Sequence, residues 1–243
     1  RVTVLASRAP DARPASRSED QRPSHRRRIC FILGLSGFVA MVLEVLWTRG
    51  IALVLGSSVY AFSLMLMAFL LGIAGGSMLT AHWLRRHAHG DLLLLLAALL
   101  GAAGLLAYGT SFFFGVLPRL FAWAHFTWHP TARLWLPIEL LLALIIMLPS
   151  TMASGAIFPV ALEALAGKGV RIERTVSRAY VANTVGAITG AVLGGFVLLP
   201  ALGVQRAIQI VAGLQIGQGL LIAVSSGAGL TRKTVRAIPL AAA

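Results

Sequence analysis

From Ile29 onward the chain is built of long apolar stretches, at about residues 29–55, 59–84, 92–113, 134–166, 177–199 and 204–225. An α-helix needs roughly 20 predominantly apolar residues to cross the ~30 Å hydrocarbon core of a bilayer. One such stretch is compatible with a buried core helix, but a series of them leaves no polar face to turn to water. With 58% hydrophobic and 12% charged residues, the chain is more apolar than a soluble domain, which is about half apolar and a quarter charged. The mean hydropathy of +0.84 agrees. The expected fold class is an all-α membrane protein with six transmembrane helices. Six spans of ~20 residues use about half the chain, which leaves little for a soluble domain.

Two regions need a decision. Residues 114–133 carry Phe121, Trp123, Phe126 and Trp128 and are interrupted by proline; they read as a segment lying along the membrane surface, where amphipathic rings sit well. Residues 134–166 contain Pro137, Pro149, Gly155 and Pro159, so they form either two short spans or one long kinked helix. Loop charge separates the alternatives. Lys168, Arg171, Arg174 and Arg178 come next, and basic loops are retained in the cytoplasm. One span puts them inside and two put them outside. The reading is one helix, kinked at Pro149, Gly155 and Pro159, because neighbouring helices can satisfy the backbone groups that proline frees.

The resulting topology places both termini in the cytoplasm. It keeps 17 of the 21 lysines and arginines inside and leaves Arg49, Arg119, Arg133 and Arg206 outside. The net charge of +13 is therefore read as orientation signal. No basic stripe is interleaved with aromatics in a soluble segment, so no nucleic-acid partner is implied. The lipid bilayer is the expected partner and a bacterial-type inner membrane the expected location. Residues 1–28, rich in Arg, Ser, Pro and Asp, read as a disordered basic cytoplasmic tail, and residues 227–243 as a second cytoplasmic tail. The sequence begins at Arg1, as expected of a fragment or a processed product. The single cysteine, Cys30, permits neither a disulfide framework nor a zinc site and reads as packing.

Among individual residues, Glu44 is the sharpest. It lies fifteen residues past Ile29, about 22 Å along a helix, in the outer half of the membrane, where an ionisable group is a functional-site hypothesis by default. The alternative is a structural bond across helices. Arg49, five residues on, is too far round the helix for an i,i+4 pair and joins Glu44 as a candidate ligand contact. Asn183 is the third candidate; its amide either binds a ligand or bonds a neighbouring helix. One turn beyond it, Gly186, Gly190 and Gly194 recur every four residues and form a smooth stripe. Such stripes let backbones approach closely in lipid, so span five is expected to meet a protein partner or a second copy there.

The remaining polar residues read more plainly. Glu139 and Glu163 sit near span ends and are expected to be solvated. Gln205, Gln209, Gln215 and Gln218 give span six a polar face suited to packing or a wet cavity. His82, His87 and His89 have only Asp91 nearby, too little support for a metal, and His125 and His129 are read likewise. No P-loop, no strand-linked G-x-G-x-x-G and no paired-carboxylate site appears, so no cofactor, metal or catalytic residue is assigned.

Four stretches together resemble one family: SGFVAMVLEVLWTR from Ser36, LGSSVYAF from Leu55, LPSTMASGAIFP from Leu148 and AYVANTVGAITGAVLGGFVLLPALG from Ala179. They look like the membrane domain of the spermidine-synthase-like membrane proteins, in which a major-facilitator-like domain is fused to an aminopropyltransferase. The resemblance covers about residues 30–225. It implies a six-helix, major-facilitator-like half, one kinked fourth helix, and a polyamine-related role. The loop after span two, with Gly72, Gly76, Arg85 and Arg86, resembles the Gly-and-Arg loop of such transporters, without its acidic residue. Fused members carry a nucleotide-type glycine loop and catalytic aspartates after the membrane part. Residues up to Ala243 contain neither, so aminopropyl transfer is not assigned to them. Two alternatives stand beside the polyamine-related reading: a half-transporter acting as a dimer, and an accessory subunit of a larger membrane complex.

Overall fold

The computed structural model describes residues 23–55, 59–86, 91–128, 132–165 and 172–225, and every one of these except Asp91 is helical. No strand occurs among them. A helix satisfies its own backbone hydrogen bonds, as a segment without access to water requires. The elements are α1 (Pro23–Leu55), α2 (Val59–Arg86), α3 (Leu92–Trp128), α4 (Ala132–Leu165) and α5 (Ile172–Leu193), then a π-helical turn (Gly194–Leu198) and α6 (Leu199–Ser225).

Local chemistry explains several boundaries. α1 opens on Pro23, where a missing N–H costs nothing because the first turn has no acceptor for it. Residues 23–28, expected in the disordered tail, are therefore the first turns of α1. Asp91 caps α3: its Oδ1 accepts from the N–H groups of Leu93 at 3.2 Å and Leu94 at 3.3 Å, and its carbonyl accepts from Leu95 at 3.0 Å. An N-cap carboxylate satisfies donors that have no partner in the helix. α2 ends on Arg85 and Arg86, whose charge suits the negative end of a helix dipole.

The segment after residue 113 corrects the expectation of a proline break. α3 passes through Pro118 without interruption and continues to Trp128. Its 37 residues reach about 55 Å at 1.5 Å per residue, well beyond a ~30 Å hydrocarbon core. α4 is likewise one helix through Pro137, Pro149 and Pro159, not two. Beside Pro149, the Thr151 hydroxyl donates to the carbonyls of Met147 at 2.8 Å and Leu148 at 3.1 Å. Ser150 donates to the Ala103 carbonyl of α3 at 3.1 Å.

From Thr175 to Ser225 the chain is helical and apolar for 51 residues, about 76 Å if straight. It is not straight. The Leu199 N–H donates back to the Gly194 carbonyl, closing a π turn, and Gly203 leaves the helical region at φ 71°, ψ 170°. A side chain rarely adopts that conformation, so the helix is broken at Gly203. Among the described residues, five helical stretches are long and apolar enough to cross a membrane: Arg27–Leu53, Phe62–Arg86, Leu92–Val116, Leu140–Leu165 and Thr175–Ser225.

The helices associate chiefly as three pairs, α1 with α5, α2 with α4, and α3 with α6. Glycine lies at each crossing. A methyl on Gly186 or Gly190 would overlap the backbone of Gly34 or Phe38 of α1, and one on Gly194 would stand 3.2 Å from Val42 Cα. On α2, Gly72 and Gly76 lie against Thr151 and Met152, while Gly155 of α4 lies against Ile73. Gly219 of α6 faces Ala97 and Gly101 of α3, where a methyl would meet the Ala97 carbonyl at 2.7 Å. Exchanging the first three helices for the last three maps the α1/α5 pair onto α4/α2 and the α3/α6 pair onto itself. The weaker contacts of α3 with α4 and of α6 with α1 exchange in the same way. The pattern of helix pairing is thus largely preserved under this exchange, except that α1 touches α3 while α4 does not touch α6 among the described residues.

Two apolar clusters fill the interior. One gathers Val42, Leu46, Trp47, Met65, Met147 and Ile208; the other gathers Leu33, Leu96, Leu100, Val160 and Ile222. Apolar side chains are also turned outward, with Phe196 and Val224 each 81% exposed. Two faces of apolar residues, one inward and one outward, suit a protein surrounded by lipid.

Candidate functional site

The α1 positions Met41, Glu44, Thr48 and Ala52 recur at three- and four-residue intervals and so share one face of the helix. With Phe62 and Met65 of α2 and with Ala191, Gly195, Phe196 and Leu199 beyond, they border a cavity of about 790 Å³. Its charged lining consists of Glu44 and Arg49. Glu44 is half-buried and Arg49 exposed. Among the described residues no ion pair joins them, as expected from five-residue spacing. The cavity is therefore mostly apolar, with a few polar groups able to orient a ligand.

The π turn helps to form this space. Gly195 has no side chain to project into it, and a methyl there would stand 3.7 Å from Val45. A π turn adds a residue to one helical turn and re-aims the helix beyond it, and such turns recur at functional sites. No periodicity in the sequence announces it.

Asn183 is not brought to Glu44. It lines a second cavity of about 300 Å³ between α1, α2, α4 and α5, with Ser36, Ser77, Ser154 and Tyr180. There it lies over Gly37, where a methyl would meet the Asn183 backbone oxygen at 2.5 Å and Oδ1 at 2.6 Å. Met41 lines both cavities and stands between them. The three candidate contacts are thus divided: Glu44 and Arg49 on one side of Met41, Asn183 on the other.

The four hydroxyl side chains beside Asn183 were not among the expected site residues. A signal for two of them is present: the dipeptide Ser-Gly occurs at Ser36–Gly37 on α1 and again at Ser154–Gly155 on α4, and these two helices exchange under the three-helix relation. The glycine stripe of α5 faces α1 of the same chain, so the close helix contact expected there is met internally. Gly155, expected at a kink, admits the α2 backbone.

Elsewhere, Glu163 and His82 are exposed. The Gln209 side chain donates to Ser111 Oγ at 3.3 Å, while Gln215 and Gln218 are buried. The side chains of Glu139 and His125, and residues His87, His89 and His129, lie outside the described residues. No family model, curated protein or solved structure matches this chain.

Proposed function

We propose that the chain is the membrane domain of a spermidine-synthase-like protein, in which the cavity at Glu44 takes a cationic amine. Glu44 carries the reading. A carboxylate without an ion-pair partner among the described residues, on a membrane-length helix and bordering a cavity of about 790 Å³, is expensive unless a cation completes it. Three of the four family-like stretches contribute to the lining: Ser36–Arg49 supplies Met41, Glu44, Thr48 and Arg49, the stretch from Leu55 supplies Phe62, and the stretch from Ala179 supplies Ala191, Gly195 and Phe196. The proposal includes six crossings in a major-facilitator-like half, with the break at Gly203 dividing the fifth crossing from the sixth. Both termini then face the cytoplasm of a bacterial-type cell, as the distribution of basic residues favours. Arg49, at the exposed side of the cavity, sets the orientation of the amine by repelling its near end.

The test is spermidine binding to the full chain reconstituted in lipid vesicles. Binding is expected in the parent and should fall at least tenfold in Glu44→Gln. Arg49→Gln removes a like charge and should strengthen binding two- to threefold, the modest size expected of an exposed group. Absence of binding in the parent, or equal binding in Glu44→Gln, rejects the proposal.

A further inference from the structure

A third cavity lies away from Glu44, in a cleft between the start of α1, the start of α3 and the end of α6. Its volume is about 520 Å³, and its mouth carries Arg27, Arg28 and Ser225. Below the mouth the walls are apolar, with Ile32 and Leu35 on one side and Leu96 on another. From Arg28 to Leu35 is about 10 Å along α1, and Gln218 lies as far below Ser225 on α6. The cleft is therefore basic at the top and apolar beneath, with one amide residue low in its wall.

Gln218 is the second observation. It lines the cleft and is 4% exposed, yet among the described residues neither its Nε2 nor its Oε1 has a hydrogen-bond partner. Leaving a buried amide unpaired is costly, so a site that keeps one invites a group to complete it. Arg27 and Arg28 are exposed and form no ion pair with any described residue. The two features ask for a single molecule, anionic at one end, apolar beyond, with an acceptor in between.

We infer that this cleft binds one anionic phospholipid, with its phosphate on Arg27 and Arg28, an ester carbonyl accepting from the Gln218 amide after a turn of its terminal torsion, and an acyl chain along Ile32, Leu35 and Leu96. Complementary charge commits the site to an anionic headgroup. The apolar walls exclude free phosphate, which would gain nothing below the mouth. The site is independent of the amine reading at Glu44 and survives its failure.

Native mass spectrometry of the full chain, released from detergent with phosphatidylglycerol or phosphatidylcholine, tests this. The parent should retain one phosphatidylglycerol at least ten times more strongly than phosphatidylcholine. Arg27→Gln with Arg28→Gln should lower that retention ten- to thirtyfold, the scale set by two cations at a lipid surface. Arg85→Gln with Arg86→Gln, a basic pair at the end of α2 outside the cleft, should leave it unchanged. Gln218→Leu replaces an unpaired buried amide with an apolar group, so it should keep or raise the melting temperature of the delipidated protein while weakening phosphatidylglycerol retention. Equal retention of the two lipids overturns the inference. So does parent-like retention in either cleft variant, or an equal loss in the Arg85/Arg86 pair.

Discussion

At the scale of single residues, the α1/α5 contact depends on atoms that are missing. Gly186, Gly190 and Gly194 meet Gly34, Phe38 and Val42 with no room for a Cβ on either of the first two. In lipid, apolar burial does not draw helices together, so close van der Waals approach has to. Gly190→Ala should cost about 1–3 kcal/mol, the usual range for overpacking, measured as a lower midpoint of unfolding in detergent. A loss below about 0.5 kcal/mol would mean that the helices separate more easily than their contact implies. The stripe itself was legible, because four-residue spacing on a helix defines a face. Its partner was not. Spacing cannot distinguish a helix of the same chain from one of another copy. Glu44 was legible for a similar reason, since one carboxylate stands out in an apolar span. The convergence of Ser36, Ser77 and Ser154 was not, because the Ser-Gly dipeptide marks two of the positions without showing that they meet.

At the scale of elements, the prolines did less than their reputation suggests. Proline in a helix interior removes one hydrogen bond and crowds one carbonyl, yet α3 continues through Pro118 and α4 through three prolines. The interruption in the last 51 residues comes instead from glycine, at Gly203. Its φ of 71° lies where a side chain is strained, so Gly203→Ala should destabilise the α5–α6 corner by about 1–3 kcal/mol. Hydrogen exchange provides the check: amides on both sides of residue 203 should exchange faster in the variant, while those of α2 and α4 remain as in the parent. Uniform protection would show that the corner tolerates a side chain. The π turn just upstream is a further element that propensity does not foresee, since Gly194 and Gly195 loosen a helix without specifying its hydrogen-bond pattern and only the bond from Leu199 N–H to the Gly194 carbonyl defines it.

At the scale of the whole molecule, three helix pairs related by exchange of one half for the other produce cavities where the pairs meet, and α1 borders all three. This central position explains why α1 carries Arg27, Arg28, Glu44 and Arg49 while still burying Leu33, Val42, Leu46 and Trp47. The proposed topology has a direct test. In a Cys30→Ser background, a membrane-impermeant thiol reagent applied to intact cells should label a cysteine at position 119 and spare one at position 85. Labelling at 85 from outside would reverse the orientation, and labelling at both would remove the span between them.

The sequence alone determined that this is a helical protein of the membrane, because long apolar runs with most of their charge at the ends have few other stable destinations. It also marked Glu44 and the glycine stripe, each a local departure from its surroundings. Tertiary structure decided which faces meet: that the α5 stripe belongs to α1, that Asn183 and Glu44 line separate cavities divided by Met41, and that Gln218 lies unpaired beneath two arginines. Those are relations between residues far apart in the chain. Periodicity records which face of a helix is special, and only packing shows what lies opposite.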